Sequence, residues 1–306
     1  MSPTSARGGG PSAAPGFDAL VVADWSANPQ RRAVWCADVR QRSLAPLPPP
    51  ARGWTLDDVL ARARGLGEAP LVGLDAALGV PRSFLAAVGA ATFLDWLSTT
   101  GPETFEPTTE PVEWRPTRPF FRVPPKGRRA YEAAAAAYGV SLRRAVEVRT
   151  GANPAFIVSG IPGAVGAATV DVWRALRALP HRPRLWPYDG SALSAAGQVT
   201  LAEAYPRAAY AAALDDGSAG ARAPRRLAKT QGPVRSAALA ALTQTAWWSA
   251  QGVQLAALDG ATAASSEDHF DALLTAAALL RATLADECLG ELRADEAPEG
   301  GILLAP

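Results

Sequence analysis

Two runs, ALVVAD at residues 19–24 and LVGLD at 71–75, constrain this chain more than anything else in it. Each is apolar until its last residue, an aspartate. A strand with one face in water alternates apolar and polar residues, whereas an unbroken apolar run is buried on both faces, as in a sheet covered by helices on either side. RRAVWCADV, after the Asn28-Pro29 turn, does alternate and reads as the hairpin partner of the first run, so the chain opens with an antiparallel meander of three strands. TLDDVLARARGL follows, with Thr55 as its cap and helical spacing. Further on, GAVGAATVDVWRALRAL reads as a helix, RLWPY as a short strand, QVTLAEAYP as a strand ending near Glu203, and PVRSAALAALTQTAWW as a helix. The expectation is an α/β fold with a mixed sheet, antiparallel at its start and parallel afterwards.

The segment from about 83 to 150 departs from this alternation. A helix over SFLAAVGAATFLDWL, a Pro-rich run from Gly101 to Pro125 and an Ala-rich helix from Arg128 to Tyr138 read as a helical, Pro-rich insertion. Residues 1–16, rich in Gly, Pro and Ser, read as a disordered tail without a secretory core, which leaves 17–306 as one domain. A 306-residue chain that is 48% hydrophobic can bury a full core. The longest nearly uncharged run, SFLAAVGAATFL, falls short of the roughly 20 apolar residues that span a bilayer. Cys36 and Cys288 form neither a disulfide framework nor a metal-binding cluster, so a reducing, cytoplasmic setting is expected. A formal charge of +1 argues against a broad, sequence-blind nucleic-acid binder, whose affinity would come from phosphate neutralisation.

Acids recur where elements end. Asp24, Asp75 and Glu203 close strands, and EDHFDALLTAAALLRA at 267–282 opens a helix with Asp268 and Asp271 three residues apart, ahead of an apolar stripe through Phe270, Leu273, Leu274 and Ala277. Taken alone, an acid at a helix start favours the positive end of the dipole, and an aspartate after a strand is commonly a loop or cap residue. Parallel strands bring such ends to one edge of the sheet, where open α/β folds place their sites. Carboxylates that converge there repel by about 4 kcal/mol for a pair 4 Å apart at an effective dielectric near 20, so protons or cations must neutralise them. Magnesium or manganese is the natural counter-ion for hard oxygen ligands.

Two other signals bear on function. GIPGAVGAAT at 160–169 offers glycines at Gly160, Gly163 and Gly166, a (di)nucleotide-binding alternative. Its spacing is not G-x-G-x-x-G, and Pro162 lacks a donor where a diphosphate wants one, so close helix packing accounts for the small residues better. ARAPRRLAKTQGPVR at 221–235 is basic and free of acids; Arg225 and Arg226 suit forked phosphate contacts and Lys229 a point charge. Arg118, Arg122, Lys126, Arg128 and Arg129 around Phe120 and Phe121 make a second basic stretch, whose aromatic residues read first as anchors to the core.

The ordered set VVADWSAN, LVGLDAALGVP, LAEAYPRAAY, EDHFDALLTAAALL and EGGILL resembles the bacterial family called domain of unknown function 429, regarded as a predicted nuclease of the RNase H-like fold. The likeness runs from about residue 18 to 304. More distantly, these motifs are similar to those of Holliday-junction resolvases, although Asp75 stands where resolvases carry a glutamate. The resemblance implies metal-dependent phosphodiester hydrolysis on nucleic acid, DNA or RNA, with Asp24 bridging two Mg2+ or Mn2+ ions, Asp75 and Asp271 on either side, and Glu203 or Asp268 completing a shell or positioning water. His269 would be a proton shuttle at most. A catalytically inactive relative, serving as a nucleic-acid or protein adaptor, is the alternative of a different class.

Overall fold

The computed structural model describes residues 16–124, 127–190, 193, 196–215, 227–293 and 296–305. The expected tail (apart from Gly16), Lys126, Arg225 and Arg226 lie outside the described residues.

Strands β1 (Ala19–Asp24), β2 (Ala33–Asp38) and β3 (Ser43–Pro46) form the antiparallel meander, and α1 (Leu56–Arg64) leads to β4 (Leu71–Leu74). Then come α2 (Arg82–Val88), α3 (Phe93–Thr99), β5 (Phe121–Arg122), α4 (Arg128–Ala136), α5 (Ala145–Thr150), β6 (Ile157–Ser159) and α6 (Gly166–Ala178). The chain closes with β7 (Arg184–Leu185), β8 (Thr200–Ala204), α7 (Pro206–Ala213), α8 (Gly232–Gln244), α9 (Ala246–Gln251), β9 (Gln254–Leu255), α10 (Ala257–Ser265), α11 (Glu267–Leu284) and β10 (Ile302–Leu303). The main sheet runs β10-β8-β4-β1-β2-β3-β9, with β7 paired to β8; β5 and β6 form a separate parallel pair. β1 is antiparallel to β2 but parallel to β4, and β4 is parallel to β8. The mixed sheet thus has the expected antiparallel start and parallel continuation. Among the described residues no helix is long and apolar enough to cross a membrane.

The unbroken apolar runs are buried on both faces, as their composition demands. Val21 and Ala23 point with Val72, Leu74 and Leu201 into one core, and Leu20 and Val22 point with Trp35, Leu71 and Ala202 into the other. The second core is closed by α11, in which every residue from Phe270 to Leu280 is buried. A one-sided stripe was expected from its spacing; burial all round arises because α7 and α10 also pack against the helix, with Ala272, Ala276 and Ala277 permitting close approach. Each large side chain so buried contributes about 1.5–3 kcal/mol, which fixes α11 firmly against β1 and β2.

The first core is covered by the segment read as an insertion. Its rings join the sheet's own cluster: Phe84 packs on Phe156 (4.9 Å between centroids) and Phe93 on Trp173 (5.1 Å). Phe120 and Phe121 are fully buried, the latter stacked on Tyr131, so they are anchors. The expected single helix at 83–97 is two, because Gly89 closes α2 at φ 69° and Thr92 caps α3 through Asp95 N–H.

Candidate active site

Register decides which acids meet. Ala23 lies opposite Leu74 across the β1–β4 pair, so Asp24 and Asp75 follow side by side, and the Asp75 N–H donates to the Ala23 carbonyl at 3.0 Å. The turn beyond Asp24 is held by Arg32, stacked 4.0 Å over Trp25 and bonded to the Ser26 carbonyl (2.6 Å) and to Asp171 (2.7 Å). The loop beyond Asp75 is held by α6: Trp173 Nε1 donates to the Ala77 carbonyl at 2.7 Å, and Thr169 Oγ1 accepts from Ala77 N–H at 3.2 Å.

α11 brings the remaining acids. Ser266 caps it, its Oγ accepting from His269 N–H, and Glu267 and Asp268 occupy the first turn, where the helix dipole favours them. Asp268 stays at the rim, 3.7 Å from the exposed guanidinium of Arg31. Asp271, one turn further in, is 1% exposed and faces the strand ends; its Oδ1 accepts from Tyr210 O–H and its Oδ2 from Lys229 Nζ. His269 is tied into the core side, Nδ1 accepting from Trp35 Nε1 at 3.2 Å, and burial lowers its pKa.

The electrostatics follow from this crowding. Burial, then the charges of Asp75, Asp271 and Asp268, push the Asp24 carboxyl well above its ordinary value, with Lys229 opposing. Burial and Asp271 push Asp75 up to about 7, opposed by Lys229 and by a hydrogen bond shared with Asp24. Asp271 is raised by burial in spite of Lys229 and Tyr210. Burial works against the Lys229 ammonium, but Asp271, Asp24 and Asp75 outweigh it and raise its pKa, so it stays charged. Apart from the bond they share, Asp24 and Asp75 accept no side-chain hydrogen bond among the described residues. The cleft between them is lined by Val22, Ala204, Pro206, Ala272 and Thr275, and the buried Thr275 hydroxyl lacks a partner.

Glu203 is a different case, and its expected place in this group needs correction. It closes β8, opposite Leu74, but its carboxylate is clasped by the two terminal nitrogens of Arg144 at 2.7 and 2.8 Å, and it also accepts from Leu78 N–H at 2.8 Å. Arg144 is further bonded to Glu147 at 2.8 Å. Glu203 is therefore a buried ion-pair partner that fixes the loop after Asp75. Lys229, expected as a point charge for a phosphate, is paired with Asp271. The glycines at 160–166 have packing roles: a Cβ on Gly160 would lie 2.0 Å from the Val123 carbonyl oxygen and one on Gly166 2.5 Å from that of Ile157, while the Pro162 and Gly163 carbonyls accept from Asn153.

Among the described residues, no group of three His, Cys, Asp or Glu side chains is arranged to hold a metal ion. Both oxygens of Asp271 are occupied, by Tyr210 and Lys229. The donor set still suits a hard cation. Magnesium is ordinarily held by one or two carboxylates with retained waters, and Asp24 and Asp75, facing each other beside an orphaned hydroxyl, supply two. A larger opening of about 390 Å³ lies at the other end of the sheet, beside the start of β8, lined by Arg64, His181, Arg182 and Arg184. Its Arg182 is neutralised by Asp189, so the convergent acids, not the larger volume, mark the candidate site. No protein-family model, curated protein or solved structure matches the chain.

Proposed function

We propose that this chain is a divalent-metal-dependent nuclease of RNase H-like fold, hydrolysing phosphodiester bonds at the edge formed by Asp24, Asp75 and Asp271. The observation that carries the reading is the pair Asp24 and Asp75, side by side at the ends of parallel strands, both raised in pKa by burial and by neighbouring carboxylates, with only the Lys229 ammonium opposing them among the described residues. The strand order β3-β2-β1-β4-β8, antiparallel across the first three and parallel beyond, supports the RNase H-like assignment, as do the five motifs that resemble the family.

Asp24 and Asp75 would hold the cation, Mg2+ or Mn2+, whose chemistry there is to activate a water and offset charge developing on the phosphate. Asp271, oriented by Tyr210, keeps the Lys229 ammonium over the same cleft, where the remaining N–H groups of Lys229 can meet a phosphate oxygen. Asp268 and Arg31 form the rim. Purified protein with manganese, presented with single-stranded, duplex and branched DNA and with RNA, tests the reading; cleavage that Asp24→Asn removes is the expected result. The second reading, a catalytically inactive adaptor on the same fold, draws on the occupation of Asp271 by Lys229 and Tyr210, and predicts nucleic-acid binding without cleavage in any metal.

A further inference from the structure

Three carboxylates, Asp271 buried and Asp24 and Asp75 half-buried, cannot share one cleft without protons or compensating cations, and the chain already provides one positive charge of its own. Lys229 Nζ lies on Asp271 Oδ2, its side chain about one-third exposed, while Tyr210 O–H takes the other oxygen. The lysine is placed there by its backbone. Arg235, 8% exposed, donates from Nη1 to the Lys229 carbonyl at 2.5 Å and from Nε to the Ala264 carbonyl at 2.8 Å, which ties the Lys229 turn to the end of α10, two residues ahead of α11. Asp271 and its ammonium partner are thus presented by elements braced against one another.

We propose that Lys229 is a resident cation that holds Asp271 in place of a second divalent ion, so that the site takes a single divalent ion, on Asp24 and Asp75. The charge count supports this. One ammonium and one divalent ion neutralise three carboxylates, whereas a second divalent ion beside the ammonium would leave the partly buried cleft with two excess positive charges, a cost that its reduced solvation raises. The oxygens that a second ion would need on Asp271 are those already bonded to Tyr210 and Lys229. Lys229 in this role is a positioning and charge-balancing residue for the metal site, and the inference rests on the metal-dependent reading proposed above.

Manganese titration of the full chain by calorimetry, with bound ions counted by paramagnetic resonance, tests it without any substrate. The native protein is expected to bind one Mn2+ per chain. Lys229→Met is expected either to bind a second Mn2+ or to bind the first about tenfold more tightly, since a like charge has left the cleft. Lys229→Arg, which keeps the charge, is expected to retain the native stoichiometry, and Lys229→Gln repeats the neutral case should Lys229→Met fold poorly. Melting temperatures supply a second readout: Lys229→Met lowers that of the metal-free protein, and saturating Mn2+ restores it. Two ions on the native chain, or neutral variants identical to native, would overturn the assignment while leaving the metal site standing. No ion bound by native or variants would overturn both.

Discussion

Two places in this sheet gather acids at the carboxyl ends of strands, and they neutralise them in opposite ways. At β8, Glu203 meets a guanidinium: Arg144 clasps both its oxygens and also binds Glu147, all three side chains nearly solvent-free. At β1 and β4, Asp24 and Asp75 meet mainly each other, with one ammonium held nearby on Asp271. A charge-assisted fork fixes geometry permanently and suits a structural tie. Carboxylates that face one another stay together only while a proton or cation intervenes, which makes their state depend on what the solution offers. An acid at a strand end is therefore uninformative until its counter-charge is known.

The comparison breaks most visibly at Arg144. Arg144→Met leaves Glu147 and Glu203 buried without a counter-charge, and removal of one member of such a pair costs about 3–5 kcal/mol. Urea unfolding should show that loss, and manganese affinity of the variant that remains folded should be nearly unchanged. At the other site the signs reverse. Asp24→Asn should lower cleavage by about a hundredfold or more, and adding Asp271→Asn should cost little further, because residues acting as a unit are strongly non-additive. Additive losses would instead assign the two acids to separate tasks.

The pH dependence joins the two sites and then separates them. Asp75 and Glu147 are each pushed to about 7, Asp75 by burial and neighbouring Asp271, Glu147 by burial that outweighs its bond to Arg144, since one guanidinium cannot balance two buried carboxylates. Both are acids whose folded-state pKa lies above the unfolded one. Between the ordinary carboxyl range and about pH 7 the folded protein holds more protons than the unfolded chain, so metal-free stability falls as pH rises through that window and levels off above it. Manganese should flatten the part due to Asp75 and leave that of Glu147. Denaturant midpoints of Asp75→Asn and Glu147→Gln across pH 4–8 measure each part, and a native profile without slope would remove the premise for both.

What the sequence made legible was whatever short-range chemistry decides. The double-sided burial of β1 and β4 was readable from runs without alternation, α1 from the Thr55 cap, and the Asp24–Asp75 edge from two strands each closing on aspartate. Strands of two or three residues, β5, β6 and β9, exist only because a distant partner pairs with them, and nothing local marks them. Arg144 reaches Glu203 across 59 positions from within a segment that reads as an insertion, so nothing local in the sequence separates Glu203 from the other acids of this edge. Nothing local marks Tyr210, on an Ala-rich helix, as the residue whose hydroxyl orients Asp271. Lys229 was recognisable as a phosphate-seeking charge in a basic loop, but not as the counter-ion of an acid 42 positions away.

The smallest expected effect discriminates most finely between a cap and a site. Ser266 and Asp24 bear on the same helix end: the serine hydroxyl accepts from His269 N–H at 3.3 Å, whereas Asp24 faces Asp271 across the cleft and raises its electrostatic cost. Ser266→Ala removes a capping bond and should cost about 0.5–1 kcal/mol, the lower part of the usual range because the bond is long. Asp24→Asn in metal-free protein removes one of several repelling charges and should leave stability equal or slightly higher. Melting temperatures of the two variants, taken side by side with a chelator present, give opposite signs if Asp24 belongs to a cation-binding cluster. If Asp24→Asn melts as low as Ser266→Ala, the aspartate is serving the loop after β1, and the acids of this edge are structural like Glu203.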